Sequence, residues 1–197
     1  MISFYALPPK RLQAVAAIPE ELEVRSWRPE GGLPPRGPKQ LQNVLWWLLC
    51  KASLFSRPGF AETTLWTRGR MVQRLIVTPG WWRFPFMAAD DLQIGEVWTA
   101  SEYRGQGLAQ AAVGEAQRLV AGQTQWLWYV TDSRNKPSIR LAQSCGFTFV
   151  GTGVRTAPFG LRIFGRFRLI ERAISAAGSS PTGSRPTGPR PGRSPAG

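Results

Sequence analysis

The sequence predicts an α/β (α+β) fold built on one sheet of mixed strand directions, and three observations carry that prediction. Short β-favouring runs alternate with helical patterns through the second half of the chain. Two further runs ahead of them are joined by a tight turn. A glycine-rich loop sits where one run hands over to a helix. At 197 residues, 43% of them hydrophobic, the chain can bury one good core and is short for two. One domain over 1–172 is expected, followed by a flexible tail over 173–197. From Gly178 onward only Gly, Ser, Pro, Thr, Ala and Arg occur, which offer nothing to bury against the entropy of ordering.

In chain order, a short N-terminal segment is cut off by the Pro/Gly-rich stretch Pro29 to Pro38, read as a loop within the domain. Lys39 to Phe55 follows as a helix. It is apolar nearly all round, with Trp46-Trp47-Leu48-Leu49 at its centre, and burial is the reading preferred over a membrane interface or a second subunit in a homodimer. Thr63 to Thr67 and Met71 to Thr78 flank Arg68-Gly69-Arg70 as a hairpin closed by Pro79-Gly80. After a connection holding Trp81 and Trp82, a loop where aromatics are less needed for packing and are read as lining a pocket, Leu92 to Thr99 fits a strand. Trp66, Trp98, Trp126 and Trp128 fall in strand patterns and read as core.

Gly107 to Val120 carries Leu108, Ala111, Ala112, Ala116 and Leu119 at helical spacing. Gln125 to Val130 is a compact strand. Asn135 to Ser144 is a helix with Pro137 near its start, and Gly146 terminates it. Thr148 to Arg155 and Leu161 to Ile170 complete the strands. These final strands are strongly basic through Arg155, Arg162, Arg166, Arg168 and Arg172, opposed locally only by Glu171, a set that attracts anions.

Composition removes several chemistries. There is no histidine, so Ser-His-Asp and Cys-His nucleophiles and His-ligated metals are excluded. Cys50 and Cys145 lie far apart and outside any CxxC spacing, as free thiols of a reducing compartment would, and no metal is expected. The formal charge of +13 favours an anionic partner. The longest apolar run, Val44 to Cys50, is far short of the roughly 20 residues of a membrane span, and no basic-then-apolar leader is present. A cytoplasmic protein is expected.

The most informative residues are Tyr103-Arg104-Gly105-Gln106-Gly107-Leu108-Ala109, between a strand and a helix. Glycines there let the backbone approach a ligand closely, and the first N–H groups of the helix are free to bind phosphate oxygens. Together with Ile94-Gly95-Glu96-Val97-Trp98-Thr99 before it, and Asn135, Ser138, Ala142 and Cys145-Gly146-Phe147 after it, this loop resembles the GNAT superfamily of acyl-CoA-dependent N-acetyltransferases. The likeness is to the R-x-x-G-x-G/A acetyl-CoA signature and to a later Asn helix ending in Gly-Phe, over residues 62–172.

The resemblance implies a mixed, mostly antiparallel sheet with flanking helices and a splayed strand pair that holds the CoA arm. Val97, Trp98 and Thr99 would pair with the pantetheine amides. Arg104, Gly105, Gln106, Gly107, Leu108 and Ala109 would hold the pyrophosphate, and Asn135 and Ser138 the far end of the arm. Acetyl-CoA would be the acyl donor and a small-molecule primary amine, an amino sugar among the candidates, the acceptor. Protein acetylation and nucleic-acid binding on an inactive scaffold are the alternatives; no RRM, helix-turn-helix or KH signature is present. Many members place a tyrosine four residues before Gly-Phe to protonate the leaving thiolate, where this chain has Ala142; Tyr129, Tyr103 or Ser138 are substitutes. Glu96 is the expected base, with Glu102, Asp90 and Asp91 as rivals, although a one-residue shift along the strand would turn its side chain to the other face.

Overall fold

The computed structural model describes residues 1–8, 18–29, 32–33, 40–53, 55, 59–80, 83–156 and 165–172. Its elements are β1 (Ile2–Leu7), β2 (Glu23–Trp27), α1 (Gln40–Lys51), β3 (Ala61–Thr67), β4 (Arg70–Pro79), β5 (Leu92–Thr99), α2 (Leu108–Leu119), β6 (Leu127–Asp132), α3 (Lys136–Ser144), β7 (Thr148–Arg155) and β8 (Phe167–Arg172). Eight strands form one sheet in the order β2-β3-β4-β5-β6-β1-β7-β8. Every neighbouring pair is antiparallel except β5 and β6. The mixed, mostly antiparallel sheet with flanking helices is the architecture the sequence implied.

Local chemistry explains the elements that were legible. In the β3–β4 hairpin Arg68 and Gly69 both take positive φ, 47° and 72°, the handedness that matches the twist of paired strands. α3 begins with Asn135, whose side chain accepts the Ser138 N–H at 3.2 Å, and with Pro137 in the first turn. Gly146 follows it at φ 83°, donating its N–H to the Gln143 carbonyl.

Two strands were not anticipated. β1 enters between β6 and β7, so the first residues of the chain form a central strand whose middle is buried on both faces. ISFYAL is a nearly continuous apolar run; its destination depends on partners more than a hundred residues away. β2 pairs with β3 at the far edge.

The expectation for α1 is also corrected. Its one buried residue is the polar Asn43, while Leu41, Leu45 and Leu48 are exposed. Trp126 is exposed at 43% rather than core, and Trp98 is half-buried; Trp128 alone of the four is deeply buried. Trp81, Trp82, Arg162, residues 161–164 of the expected last strand and the tail over 173–197 lie outside the described residues.

Strand alternation splits the core into two layers. Tyr5, Leu7, Leu75, Val77, Ile94, Leu127 and Tyr129 face α2 and α3 with Ala112, Val113, Ala116, Ala142 and Phe147. Phe4, Ala6, Phe84 and Trp128, joined by Phe86, Phe167 and Val130, form an aromatic layer on the opposite face. Among the described residues no helix is long and apolar enough to cross a membrane.

Candidate active site

The parallel pair β5–β6 builds the site by coming apart. Its ladder runs from Leu92–Leu127 through Gln93–Trp128 to Ile94–Tyr129, after which Gly95 to Thr99 and Val130 to Asp132 diverge. A bulge drives the divergence. On β4, Arg74 pairs with Trp98 and Ile76 with Gly95, so Glu96 and Val97 together face the single Leu75. Glu96 sits in the left-handed region at φ 52°, a conformation that costs a non-glycine residue about 1–2 kcal/mol.

Into this gap opens a cleft of about 610 Å³. Val97, Trp98 and Thr99 form one wall; Tyr129 on β6 with Asn135, Ser138 and Leu141 of α3 form the other; Arg104, Gly105, Gly107, Leu108 and Ala109 close one end. Gly105 and Gly107 take φ 79° and 78°, and a Cβ on either would meet nothing within 4 Å. Backbone conformation, not space, is what requires glycine there. Gly107 caps α2 with no side-chain acceptor, and the first turn carries no acid, so the positive end of the helix faces the cleft uncompensated. Arg104 folds back to donate from Nε to the Thr99 carbonyl at 3.2 Å, tying the loop to β5.

Thus eleven of the thirteen residues singled out from the sequence line one cavity. Gln106 does not: its amide donates to the Glu102 carbonyl at 3.1 Å and its side chain serves the turn. Glu96 stands beside the cleft, in a network the sequence did not suggest. The Arg74 guanidinium, 1% exposed, donates to Glu62, to Asn43 Oδ1 at 2.6 Å and to Glu96 Oε2 at 2.8 Å. Asn43 returns a hydrogen bond to Glu62 at 3.0 Å, and Trp46 Nε1 donates to Glu96 Oε1 at 3.3 Å. One buried cation therefore holds two carboxylates, and among the described residues α1 reaches the sheet through three hydrogen bonds, two at Asn43 and one at Trp46. Lone polar residues scattered over a helix and three strands leave no local pattern that would have revealed this.

The rival acids are engaged elsewhere. Glu102 is exposed and bridges Arg70, and hydrogen bonds from its own backbone, then Ser101, lower its pKa. Asp91 is buried at the opposite end of β5, where it accepts from Trp128 Nε1 at 2.8 Å and the Ala88 N–H at 2.9 Å. Asp90 lies exposed in the preceding turn.

Ala142 is fully buried in the helix-side core and does not line the cleft. Tyr129 does. Its hydroxyl lies 2.8 Å from Ser138 Oγ, and its ring packs edge-on against Phe147. Burial raises the phenol above its ordinary value of 10.0, partly opposed by the Ser138 hydroxyl. At neutral pH it is a protonated donor at the cleft wall. Cys145, buried behind α3, has its thiol pushed up to about 11, chiefly by burial. No group of potential metal ligands occurs among the described residues.

A family model described as Acetyltransferase (GNAT) family matches residues 24–147, well over half of the chain. No curated protein matches. Among solved structures, a tandem GNAT protein from the clavulanic acid biosynthesis pathway has a TM-score of 0.53 at 16% identity, covering 75% of this chain and 50% of that one. A Drosophila protein has a TM-score of 0.51 at 15% identity, covering 75% of this chain and 47% of its own. An aminoglycoside N-acetyltransferase in complex with CoA reaches 0.45 at 12% identity, covering 64% of this chain and 91% of that one. The chain spans about half the length of the first solved structures it matches. At these identities the likeness is one of fold.

Proposed function

This chain belongs to the GNAT family of acetyltransferases, and from that premise we propose that it moves an acetyl group from acetyl-CoA to the primary amine of a small acceptor, an amino sugar being one candidate. The observation that carries the reading is the coincidence of three features in one cleft: the splayed β5–β6 pair, the uncapped N-terminus of α2 and a buried phenol. The pantetheine amides would pair with the free backbone of Val97 to Thr99. The pyrophosphate would rest on the N–H groups from Gly105 to Ala109, and Asn135 and Ser138 would flank the arm near the thioester.

In the reaction the amine nitrogen attacks the thioester carbonyl carbon, a C–N bond forms, the C–S bond breaks, and the thiolate leaves. Two protons move. Tyr129 supplies one to the departing sulfur; its raised pKa keeps it protonated and its bond to Ser138 fixes its direction. Glu96 receives the one the amine gives up. The bulge at φ 52° turns its carboxylate out of the strand alternation, and Arg74 and Trp46 hold it there. With no histidine in the chain, these two side chains bear the proton transfers the reaction needs.

Isothermal titration of acetyl-CoA tests the donor half. Wild type is expected to bind at micromolar Kd. Gly107→Val forces a β-branched residue into φ 78° and is expected to weaken binding at least tenfold, about 1.4 kcal/mol. Tyr129→Phe should leave that Kd unchanged and lower kcat by about 10²-fold with a competent amine. Full acetyl-CoA affinity in Gly107→Val would remove the phosphate-loop assignment.

A further inference from the structure

α1 presents to water the side that a surface helix ordinarily turns to the core. Leu41, Leu45 and Leu48 follow one another at i, i+4 and i+7, so at about 100° per residue they fall within roughly 60° of one another around the helix. Their exposures are 88%, 55% and 51%. Asn43 and Trp46 project from the opposite side, and there the helix is held: Asn43 bonds to Glu62 and Arg74, and Trp46 to Glu96. The rotation of α1 is therefore set by polar contacts beneath it, and that rotation points the three leucines away from the sheet.

The surroundings of the stripe carry charge of one sign. Residues 31–61 contain Arg36, Lys39, Lys51 and Arg57 and neither Asp nor Glu. Lys51, in the last turn of α1, is exposed, and its ammonium lies 5.9 Å from the centroid of the Trp47 ring one turn back. The acids that α1 meets, Glu62 and Glu96, are both bound by Arg74 under the helix, on the side away from the leucines.

A contiguous apolar stripe in water marks a surface that meets something else, and the charge around it decides what. A second copy of the chain would set leucines against leucines but also cations against cations, because a two-fold interface joins the same patch on both sides. An anionic bilayer complements both features at once. Its acyl boundary receives the leucines, and its acidic headgroups receive lysine and arginine. At 12 residues, roughly 18 Å, the helix is too short to cross a membrane and long enough to lie along one.

We propose that the Leu41-Leu45-Leu48 face of α1 docks on an anionic membrane surface, with the leucines at the acyl boundary and the flanking cations among the headgroups. Docking of this kind is independent of acyl transfer, since none of the residues lining the cleft belongs to α1.

The test is co-sedimentation of the full chain with vesicles. Vesicles of phosphatidylcholine mixed with phosphatidylglycerol are expected to bind the protein, and vesicles of phosphatidylcholine alone at least tenfold more weakly. The triple variant Leu41→Gln, Leu45→Gln, Leu48→Gln keeps every charge, so what it loses is the apolar contribution. Its Kd for the mixed vesicles should rise at least tenfold, while Tm stays within a few degrees of wild type because these side chains already face water. Leu41→Gln alone, at the most exposed of the three, makes the same comparison with the least demand on folding and should weaken binding roughly threefold. Ile170→Gln, at an exposed apolar residue of β8 on the other edge of the sheet, should change nothing. Replacing Arg185, Arg190 and Arg193 of the tail with Gln should leave most of the binding. No binding to the mixed vesicles, or equal binding by wild type and the leucine variants, overturns the docking face and leaves at most non-specific attraction by charge. A wild type that is dimeric by analytical ultracentrifugation without vesicles, and that the triple variant turns monomeric, overturns it as well and assigns the stripe to a second copy.

Discussion

Replacing Arg74 by methionine tests whether the buried network beside the cleft holds the sheet and α1 together. The guanidinium is 1% exposed and Glu62 is 3% exposed, so the substitution strands a carboxylate away from water. Breaking a buried pair by removing one partner costs about 3–5 kcal/mol, because the remaining charge is uncompensated. In a domain of this length each kcal/mol moves Tm by about 2–4 °C, so the midpoint should fall by roughly 6–20 °C. Arg74→Met with Glu62→Leu removes the stranded charge and should regain at least about 1.5 kcal/mol of the loss. It should not reach wild type, because Asn43 donates to Glu62 and accepts from Arg74, and its amide then stays buried without either partner. The assay is thermal and urea unfolding of both variants followed by circular dichroism. An Arg74→Met protein within 1 kcal/mol of wild type, or a double variant no more stable than the single, would refute the reasoning.

Three further outcomes follow from individual positions. Gly153→Ala would put a Cβ 2.4 Å from the Arg168 carbonyl oxygen and 2.8 Å from Phe4 Cε2, so β7 and β8 must separate; a loss of about 1–3 kcal/mol in urea unfolding is expected, and none would show the sheet to be loose there. Gln73 is fully buried with neither amide atom partnered among the described residues, so Gln73→Met should raise Tm by several degrees, and a fall would mean the amide is satisfied in solution. The folded-state pKa of Cys145 lies near 11 against an ordinary 9.0, so its contribution is complete below pH 9 and is lost as pH rises toward 11. That amounts to about 3 kcal/mol. Tyr129 and Tyr5, raised from 10.0, act in the same direction above pH 10. Cys145→Ala should flatten the decline in ΔG between pH 9 and 11, measured by urea unfolding; an unchanged slope would place its source elsewhere.

Much of the fold and most of the cleft were legible before any coordinates, and the legible parts share a physical basis. Gly105 and Gly107 mark positive φ, Asn135 and Pro137 mark a helix start, and Arg68-Gly69 marks a hairpin; each acts over four residues or fewer. A cleft wall made of backbone and helix termini is therefore written in contiguous sequence. What escaped is made of contacts between distant residues. Ile2 to Leu7 became a central strand because β6 and β7 offered open edges on both sides. α1 turned Leu41, Leu45 and Leu48 outward because Asn43 and Trp46 found Arg74, Glu62 and Glu96 beneath them. The facing of Glu96 was set by a bulge that only pairing with β4 creates.

By itself, then, the sequence determined the mixed sheet, the glycine loop that opens α2 and the absence of histidine chemistry, since propensity, turn geometry and composition are properties of short stretches or of the whole chain. Tertiary structure alone decided which acid stands beside the cleft and which phenol lines it. Tyr129 and Ser138 are 9 positions apart and Arg74 and Glu96 are 22, and only the packed sheet brings each pair within reach.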